Sequence, residues 1–584
     1  MKNVSERVDN EKAAQILEEI ADMLEIQGES VFKVNAYRRA AENIRSLGRD
    51  LSSMVQDGSI FAVEGIGKAI GEKITELVTK GRLEYYEKLS QEVPRSLLEI
   101  LEIPDMGPKR VRAVWEKLKV TTIEELEEAA KSGRLAELPG FGPKSVARIL
   151  AGIEERKRAL ETHRIPLVSA WILAEMVKEG LWGLPGLRIE VGGSFRRKKE
   201  TVGDLDFLVS SHDPEAAVER FCSLPMVQKV LLRGSKKASV LFKGSIQGDL
   251  RVIERSRWGT ALQYFTGSKE HNVQMRELAL KKGFSLSEYS FKAVDGGDEV
   301  LCAEEEEVYA FLGLPWILPE LREGRRAVDE ALKGNLPNVV NEEDLKGDPH
   351  VHTLWSDGFS SIEEMVLSAK EKGLRWIAIT DHSAALAVAG GLDTARLRSQ
   401  MVEIDDVNRK QTSVRVLKGV EAEILADGTV DVPGDLVDEL DIVIGSLHLS
   451  MRQSREEITR RYLKAIRHPR VHIIAHPTGR LLGQRQGMDA DWEVIFEEAS
   501  RTGTILEINA NPYRLDLPDY LAALANEKGC LFSIGSDAHR TSQMELLHFG
   551  VSVARRAWIN KDRIVNTWEL DKLLDWAKSK PDRL

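Results

Sequence analysis

The sequence has few cysteines and no long apolar run, and both absences exclude certain classes of protein. Cys222, Cys302 and Cys530 are scattered along 584 residues without C-x-x-C spacing, which argues against disulfides and zinc–thiolate sites. No apolar segment approaches the roughly 18 residues that span a bilayer. The N-terminal segment MKNVSERVDNEK also lacks the apolar core of a signal peptide. We therefore expect a cytoplasmic protein.

An overall basic charge is also lacking. The net charge is −11, but residues 1–340 carry 51 basic and 54 acidic side chains, whereas residues 341–584 carry 31 and 39. Basic side chains still cluster in the first part, as in Arg38-Arg39 and Lys109-Arg110. Because phosphate binding depends on the local potential, such clusters are compatible with a modest, salt-sensitive affinity for nucleic acid.

The length predicts three to five domains. Apolar residues recur every three or four positions through residues 10–160, as at Ile16, Leu17, Ile20 and Leu24, which predicts a helical region. Beyond about residue 346, short apolar strands alternate with amphipathic helices.

Two carboxylates follow a Gly-Ser turn in the middle of the chain. Asp204 and Asp206 share one face if they lie on a strand, and Asp249 on a neighbouring strand would complete an oxygen cage. Such a cage suits Mg²⁺, and two ions stabilise the attacking and leaving oxygens of a phosphoryl transfer. Backbone amides at Ser194 can approach a triphosphate, which Arg197 can neutralise. This pattern is typical of nucleotidyl transfer.

From Arg164-Ile165-Pro166 to Tyr289 the sequence resembles the palm and thumb of family X DNA polymerases, the group that includes DNA polymerase β. The resemblance extends through the Gly-Ser, D-x-D and D-x-R segments and through Tyr264-Phe265-Thr266-Gly267-Ser268. It implies Mg²⁺ (or Mn²⁺) at Asp204, Asp206 and Asp249, and the incoming nucleotide at Arg164, Ser194, Arg197, Gly203, Tyr264, Phe265, Gly267 and Asn272. The two aromatic rings would exclude a 2′-OH, Asn272 and Arg276 would contact the DNA minor groove, and Arg251 would regulate Asp206.

Three short turns interrupt the helical region, namely Gly65-Ile66-Gly67-Lys68, Asp105-Met106-Gly107 and Gly140-Phe141-Gly142. Each lies before a predicted helix, where exposed backbone amides coincide with the positive end of the helix dipole. They resemble helix-hairpin-helix motifs, which bind DNA phosphates without reading sequence. The resemblance implies DNA contacts at Gly65, Gly67, Lys68, Gly107, Gly140 and Gly142. In the second turn Asp105 replaces the first glycine and places a negative charge near the expected phosphate.

Residues 32–41 and Lys73 are similar to the small lyase domain of DNA polymerase β. The resemblance places Lys33 and Tyr37 at a 5′-phosphate pocket and makes Lys73 the amine that forms a Schiff base with an abasic sugar. Phe61 and Ala69 occupy positions that carry pocket lysines in the repair enzyme, so the sequence leaves open whether this chain has lyase activity. The alternative is that Lys73 is a solvated residue on an amphipathic helix.

Metal-type side chains follow the candidate strands of the C-terminal region. Six of the twelve histidines lie there with three carboxylates. Ligands at the carboxyl ends of strands in a βα repeat predict a distorted (β/α)7 barrel with one active face. Nitrogen and oxygen donors without thiolates suit Mn²⁺, Zn²⁺ or Fe.

This region resembles the PHP domain (polymerase and histidinol phosphatase), a phosphoesterase fold with a three-metal site. The resemblance implies nine ligands: His350, His352, Asp357, His382, Glu421, His448, His476, Asp537 and His539. Such a cluster activates water for phosphoester hydrolysis. Asp381, Arg480 and Asn509 are expected around the metals or on the substrate phosphate.

The domain order resembles that of bacterial and archaeal family X DNA polymerases, which implies a multidomain α+β and α/β protein. We expect a helical lyase-like domain at 1–85, a helix-hairpin-helix domain of fingers type at 86–158, a nucleotidyltransferase palm at 159–260, a thumb at 261–318, a linker at 319–345 and a PHP domain at 346–584.

The sequence thus predicts a monomeric, nucleoid-associated repair polymerase that uses dNTPs to fill short gaps in gapped or primed DNA. Its PHP domain is expected to be a metal-dependent 3′–5′ exonuclease, with abasic-site endonuclease activity left open. Two alternatives also stay open, a structural or small-phosphoester PHP module and a non-catalytic scaffold for DNA ends. The intact ligands at both sites favour the bifunctional enzyme.

Overall fold

The computed structural model describes residues 10–45, 51–63, 65–101, 103, 105–161, 164–244, 246–324, 326–432 and 434–580. The chain forms two compact units, Met1–Thr162 and His163–Leu584. Among the described residues, no helix combines the length and apolarity needed to cross a membrane.

The first unit is helical, as the apolar spacing predicts. Its helices are α1 (Asn10–Gln27), α2 (Val31–Arg45), α3 (Leu51–Gln56), α4 (Lys68–Lys80), α5 (Glu84–Glu92), α6 (Ser96–Leu101), α7 (Pro108–Leu118), α8 (Ile123–Lys131) and α9 (Pro143–Glu161). On α1 the apolar stripe Leu17, Ile20 and Leu24 is at most 1% exposed, so burial of one helix face stabilises the unit.

The second unit begins with the palm. Its elements are β1 (Ile165–Pro166), α10 (Leu167–Leu181), β2 (Arg188–Val191), α11 (Gly193–Arg196), β3 (Thr201–Val202), β4 (Asp204–Ser210), α12 (Pro214–Cys222), β5 (Val227–Arg233), β6 (Lys237–Phe242) and β7 (Gln247–Val252). The main sheet has the order β2-β4-β7-β6-β5, and only β4 and β7 run parallel. Leu205 and Phe207 of β4 are buried in a core that includes Phe221 of α12. Alternation along the strand leaves Asp204 and Asp206 on the opposite face.

The thumb follows without a break. It contains α13 (Trp258–Thr266), α14 (Lys269–Lys281), β8 (Phe284–Leu286), β9 (Phe291–Ala293), β10 (Glu299–Val300), α15 (Glu305–Leu312) and α16 (Arg326–Lys333). The last helix lies in the segment that we predicted to be a linker. It buries Ala327, Val328 and Ala331 in the thumb core, so this segment is folded, although its polar composition is typical of a connection.

The C-terminal part is the predicted barrel of seven parallel strands. Its elements are β11 (Gly347–Val351), α17 (Ile362–Glu371), β12 (Trp376–Ile379), α18 (Thr394–Lys410), β13 (Arg415–Glu423), β14 (Ile442–Ser446), α19 (Arg455–Ile466), β15 (Ile473–Ile474), α20 (Trp492–Thr502), β16 (Ile505–Asn509), α21 (Asp519–Glu527), β17 (Leu531–Gly535), α22 (Leu547–Arg556) and α23 (Leu570–Lys578). The strands pair in sequence order, and a parallel bridge between Val351 and Ala538 joins the first strand end to the last. The carboxyl ends of all the strands therefore converge on one face.

Candidate active sites

Strand pairing brings the three palm carboxylates together. The parallel register of β4 and β7 places Asp206 directly opposite Asp249, while Asp204 lies two residues away on the same face. Gln247 Nε2 donates a 2.9 Å hydrogen bond to Asp249, and Ser239 of β6 donates a second to the other carboxylate oxygen. The carboxylates are thus crowded, and one of them is held from two sides.

Crowding changes the acidity of this site. Burial, with the neighbouring charges of Asp204 and Asp249, raises the pKa of Asp206 to about 7. Carboxylates that repel one another in a partly desolvated cleft become stable ions when a divalent cation is bound between them. The oxygen-only donor set and this repulsion both fit Mg²⁺ or Mn²⁺.

Asp204 and Asp206 line a cleft of about 470 Å³, which is also lined by Gly193 and by most of the residues predicted for the nucleotide: Arg164, Ser194, Arg197, Tyr264, Phe265 and Gly267. Gly193 has a φ of 61°, and a Cβ there would lie 3.0 Å from Asp206 Oδ2. Only glycine therefore fits between the turn and the metal-type carboxylate. Arg164 donates a 3.0 Å hydrogen bond to Thr201 and extends over Gly203, where a Cβ would lie 3.1 Å from its guanidinium.

Lys269 and Glu323 also line the cleft, and sequence reasoning missed both. Glu323 lies 2.7 Å from Arg197 Nε, and Arg556 of the barrel helix α22 lies 3.4 Å from the same Glu323 oxygen. Arg556 also donates a 3.1 Å hydrogen bond to the Arg197 carbonyl. One carboxylate therefore connects the predicted triphosphate ligand with the C-terminal barrel.

The aromatic wall is built at the end of α13. The rings of Tyr264 and Phe265 meet edge to face, with centroids 5.1 Å apart. Asn272 Nδ2 donates to the Tyr264 carbonyl at 2.7 Å, so this amide holds the turn that carries the two rings. Arg251 lies 4.8 Å over the Phe265 ring, while Arg276 is exposed on α14.

The nine predicted PHP ligands converge at the carboxyl face of the barrel. They form three overlapping groups that could each hold a cation: His352, Asp357, His382 and His539; His350, His352 and Asp537; and His382, Glu421 and His448. The ninth, His476, joins through Nε2, which lies 3.0 Å from Glu421 Oε1. His476 (φ 25°) and Asp537 (φ 52°) lie in left-handed backbone conformations, which are uncommon for such residues and are found where function fixes a side chain.

Carboxylates around the cluster orient its imidazoles. Glu507 lies 2.7 Å from His350 Nδ1 and accepts a 2.7 Å hydrogen bond from the His476 backbone amide. Glu423 lies 3.0 Å from His448 Nδ1. Such contacts fix the tautomer and leave the other ring nitrogen for a metal. Sequence reasoning missed both roles, because a carboxylate inside a strand has no distinctive pattern.

The cluster fits metal ions. Buried His350 Nε2, both ring nitrogens of His352 and Glu421 Oε2 have no hydrogen-bond partner among the described residues, although buried polar atoms are normally paired. Burial opposes ionisation of Asp357, yet hydrogen bonds with His382 and His539 lower the pKa of its carboxyl below the ordinary value. Unpaired nitrogen donors beside an ionised carboxylate are the state that a divalent metal requires.

Three further residues were expected near the metals. Asn509 Nδ2 donates to Asp537 at 3.1 Å, so it lies beside the cluster. Asp381 accepts a 2.8 Å hydrogen bond from the Thr353 amide and others from the same loop, which fixes the loop that carries Asp357. Arg480 pairs at 2.7 Å with Glu200 of the palm and thus contributes to the contact between palm and barrel.

In the first unit, the predicted phosphate and lyase residues gather around Tyr85. The Tyr37 ring stacks on it with centroids 6.2 Å apart, and Lys73 Nζ lies 4.8 Å from its centre. Lys33 interacts electrostatically with the same phenol and forms a 3.0 Å ion pair with Glu29. Tyr85 was not predicted, since a tyrosine on an amphipathic helix resembles a packing residue.

The three predicted hairpin turns share one backbone conformation. Gly65, Asp105 and Gly140 have φ values of 78°, 68° and 90°, and Gly67 and Gly107 are the N-caps of α4 and α7. Asp105 therefore adopts a conformation that favours glycine. Its carboxylate pairs with Arg148 at 2.7 Å and with Arg110 at 3.7 Å, so its charge is neutralised within the unit.

A palm sheet with three convergent carboxylates, followed by a barrel with a buried cluster of histidines and acids, defines a nucleotidyltransferase joined to a phosphoesterase. Family models match in the same order: a helix-hairpin-helix domain (residues 8–83), a SAM-like helix-hairpin-helix tandem (97–155), the DNA polymerase beta palm (164–258), the DNA polymerase beta thumb (261–323) and the PHP domain (348–511).

Relatives match over the whole chain and over each half. The DNA polymerase/3′-5′ exonuclease PolX of Bacillus subtilis is 38% identical over 95% of this chain and 97% of its own length. DNA polymerase lambda of the rat is 27% identical over 53% of this chain and 55% of its own. A probable phosphatase of a Thermoanaerobacter species is 29% identical over 41% of this chain and 96% of its own. The chain therefore belongs to the family X DNA polymerases that carry a C-terminal PHP domain.

Proposed function

We propose that this chain is a bifunctional repair enzyme, in which the palm extends a DNA primer with dNTPs across short gaps and the PHP domain removes nucleotides from the 3′ end. The observation that supports both activities is the convergence of three carboxylates on one face of the palm sheet and of nine predicted ligands at one barrel face. The B. subtilis relative, which is named for the same two activities, covers nearly the whole chain.

At the palm, the chain prepares a site for a triphosphate opposite its carboxylates. Arg164 and Arg197 supply positive charge on the cleft wall, and Gly193 allows the backbone amides to come close to phosphate oxygens. Mg²⁺ or Mn²⁺ held by Asp204, Asp206 and Asp249 would supply the charge that stabilises phosphoryl transfer. The Tyr264 and Phe265 rings would pack on the sugar and exclude a ribonucleotide.

At the PHP site, buried side chains fix the geometry before any substrate binds. Glu507 and Glu423 orient His350 and His448, and Asn509 holds Asp537. Mn²⁺, Zn²⁺ or Fe bound by the nine ligands would activate water and polarise the phosphodiester. The same chemistry extends to abasic sites if a strand interior reaches this face.

In the first unit, Lys33, Tyr37 and Tyr85 form the surface that would receive a 5′-phosphate, and Lys73 would be the lyase amine. The hairpin amides after Gly65, Gly107 and Gly140 would hold backbone phosphates. We propose that the protein acts as a monomer on chromosomal DNA in the cytoplasm.

The test separates the two activities in one preparation. His350→Ala removes a buried ligand, so it should abolish Mn²⁺-dependent digestion of a 5′-labelled strand while primer extension in Mg²⁺ stays within about twofold of wild type. His468→Ala, a histidine of the same barrel outside the cluster, is the matched control and should retain both. Digestion that persists in His350→Ala would contradict the proposal and leave a structural PHP module as the alternative.

A further inference from the structure

An exposed aromatic ring stands next to the PHP ligands. Phe359 follows Asp357 by two residues and is 55% exposed, and Leu354 in the same loop is 63% exposed. A single exposed apolar residue is ordinary. Two exposed apolar side chains beside a metal-type cluster, on the loop that supplies predicted ligands, form a surface that a substrate meets at the entrance of the site.

The ring is carried on a rigid support. The Phe359 amide donates a 2.6 Å hydrogen bond to the carbonyl oxygen of His539, a ligand from the opposite side of the barrel seam. Within the loop, Gly358 donates to Thr353 at 3.0 Å, and Leu354 donates to Ser360 at 3.0 Å. The backbone that presents the ring is therefore fixed to two ligand-bearing segments.

A guanidinium completes the surface. Arg540 directly follows His539, and its guanidinium carbon lies 4.9 Å from the centre of the Phe359 ring. Among the described residues no carboxylate pairs with this arginine, so its charge is available to an anion. An aromatic ring with a guanidinium over it, at the rim of a phosphodiesterase site, offers contacts to the two parts of a nucleotide, its base and its phosphate.

We propose that Phe359 and Arg540 form a base-stacking platform, on which a nucleobase near the 3′ end of the strand lies while its phosphodiester enters the metal cluster. The inference rests on the proposed exonuclease function and adds how the site selects a nucleic acid over a small phosphoester. Every base has a stacking face, so the platform binds without sequence preference. That property suits an enzyme that removes one nucleotide after another.

The experiment compares single-stranded oligonucleotides that carry either a complete 3′ end or one abasic position among the last three nucleotides. Phe359→Ala should raise the KM for the complete end by roughly 5-fold to 150-fold, the range that base stacking gives, with kcat within about twofold. For the oligonucleotide whose abasic position removes the stacked base, wild type and variant should have the same KM. That equality shows that the metal site is intact in the variant.

Two further variants separate stacking from simple apolar contact. Phe359→Trp should retain the wild-type KM. Phe359→Leu, which has an apolar side chain but no ring, should raise the KM as much as Phe359→Ala does. Trp182→Ala, which removes an exposed aromatic residue of the palm, should change nothing. The platform is contradicted if Phe359→Ala leaves the KM for the complete end unchanged, or raises the KM equally for every abasic end. In both cases digestion by the wild type still supports the exonuclease. If the wild type does not digest the strand at all, both proposals are contradicted.

Discussion

Asp249 is the palm carboxylate whose position depends most on its neighbours, since Ser239 and Gln247 both donate to it. We expect Asp249→Ala to reduce primer extension by about a thousandfold or more, because the charge that stabilises the transition state is lost. The nuclease should stay near wild type, because its ligands all lie in the barrel. Glu254→Gln, an exposed carboxylate just beyond β7, is the control and should extend normally. Extension by Asp249→Ala at the wild-type rate would contradict the assignment.

The aromatic wall gives a second prediction. Replacing Tyr264 and Phe265 by alanine should raise ribonucleotide incorporation relative to deoxyribonucleotide incorporation by about tenfold or more, because the rings no longer clash with a 2′-OH. The measurement is the ratio of kcat/KM values for matched nucleotides. Trp182→Ala should leave the ratio unchanged, and an unchanged ratio in the double variant would place discrimination elsewhere.

At the residue scale, the sequence could predict the site residues that belong to a recognisable chemical pattern. The D-x-D pair, Asp249 and the nine histidine and acidic residues carry their chemistry in their side chains, and the structure brings them together. Glu323, Glu507 and Tyr85 could not be predicted, because each gains its role from a partner far away in the chain. Glu323 resembles any surface glutamate until Arg197, 126 residues earlier, lies beside it.

Among the elements, α15 is tied to the palm by a buried ion cluster. Glu305 is 3% exposed and pairs with Arg322, which is fully buried, and with Arg196 of α11 at 2.8 Å. Burial opposes ionisation, yet the two arginines lower the pKa of Glu305 to about 2. The charged form therefore stabilises the folded state.

This ion cluster predicts an acid-dependent loss of stability. The stabilisation by Glu305 is complete above its ordinary pKa of 4.5 and is lost as the pH falls toward 2, with a total of about 3 kcal/mol. Glu305→Gln leaves the fully buried Arg322 and the partly buried Arg196 without the carboxylate that they share, and it should lower the free energy of unfolding by roughly 3–5 kcal/mol at pH 7. Thermal melts of wild type and variant between pH 2.5 and 7 test this: the difference between their Tm values should shrink on acidification, and a constant difference would contradict it.

Elements also show where sequence patterns mislead. The Glu- and Arg-rich segment before the barrel was predicted to be a linker, but it contains α16, which buries Ala327, Val328 and Ala331 in the thumb core. A three-residue apolar stripe is too short to stand out from a polar background. By contrast, the barrel strands are nearly continuous apolar runs, which is typical of parallel strands covered on both faces, and their prediction was confirmed.

Over the whole molecule, DNA binding should depend on the first unit. A one-nucleotide gap with a 5′-phosphate should bind more tightly than the same gap without it, and the affinity should fall steeply with salt, since the predicted contacts are to phosphates. Lys33→Glu should remove this preference, whereas Lys88→Glu, an exposed lysine of α5, should retain it. The measurement is fluorescence anisotropy at several salt concentrations. A wild type that binds both gaps equally would show that Phe61 and Ala69 have disabled the pocket.

The contacts between palm and barrel could not be predicted from the sequence. Arg480 pairs with Glu200, and Arg556 donates to the Arg197 carbonyl. Two arginines of the barrel therefore contact the palm, although nothing in the sequence around them indicates this role. Pairs separated by hundreds of residues leave no local pattern. The two domains were predictable one by one, but the way they join was not.

The closing bridge between Val351 and Ala538 has a consequence for synthesis of the protein. The candidate ligands of the first two metal groups come from opposite ends of the barrel sequence, because Asp537 and His539 follow its last strand. A growing chain completes the palm first and cannot assemble the first two ligand groups until that strand has left the ribosome. The three palm carboxylates therefore leave the ribosome well before the nuclease ligands are complete, so the capacity to degrade DNA depends on the last part of the chain to be made.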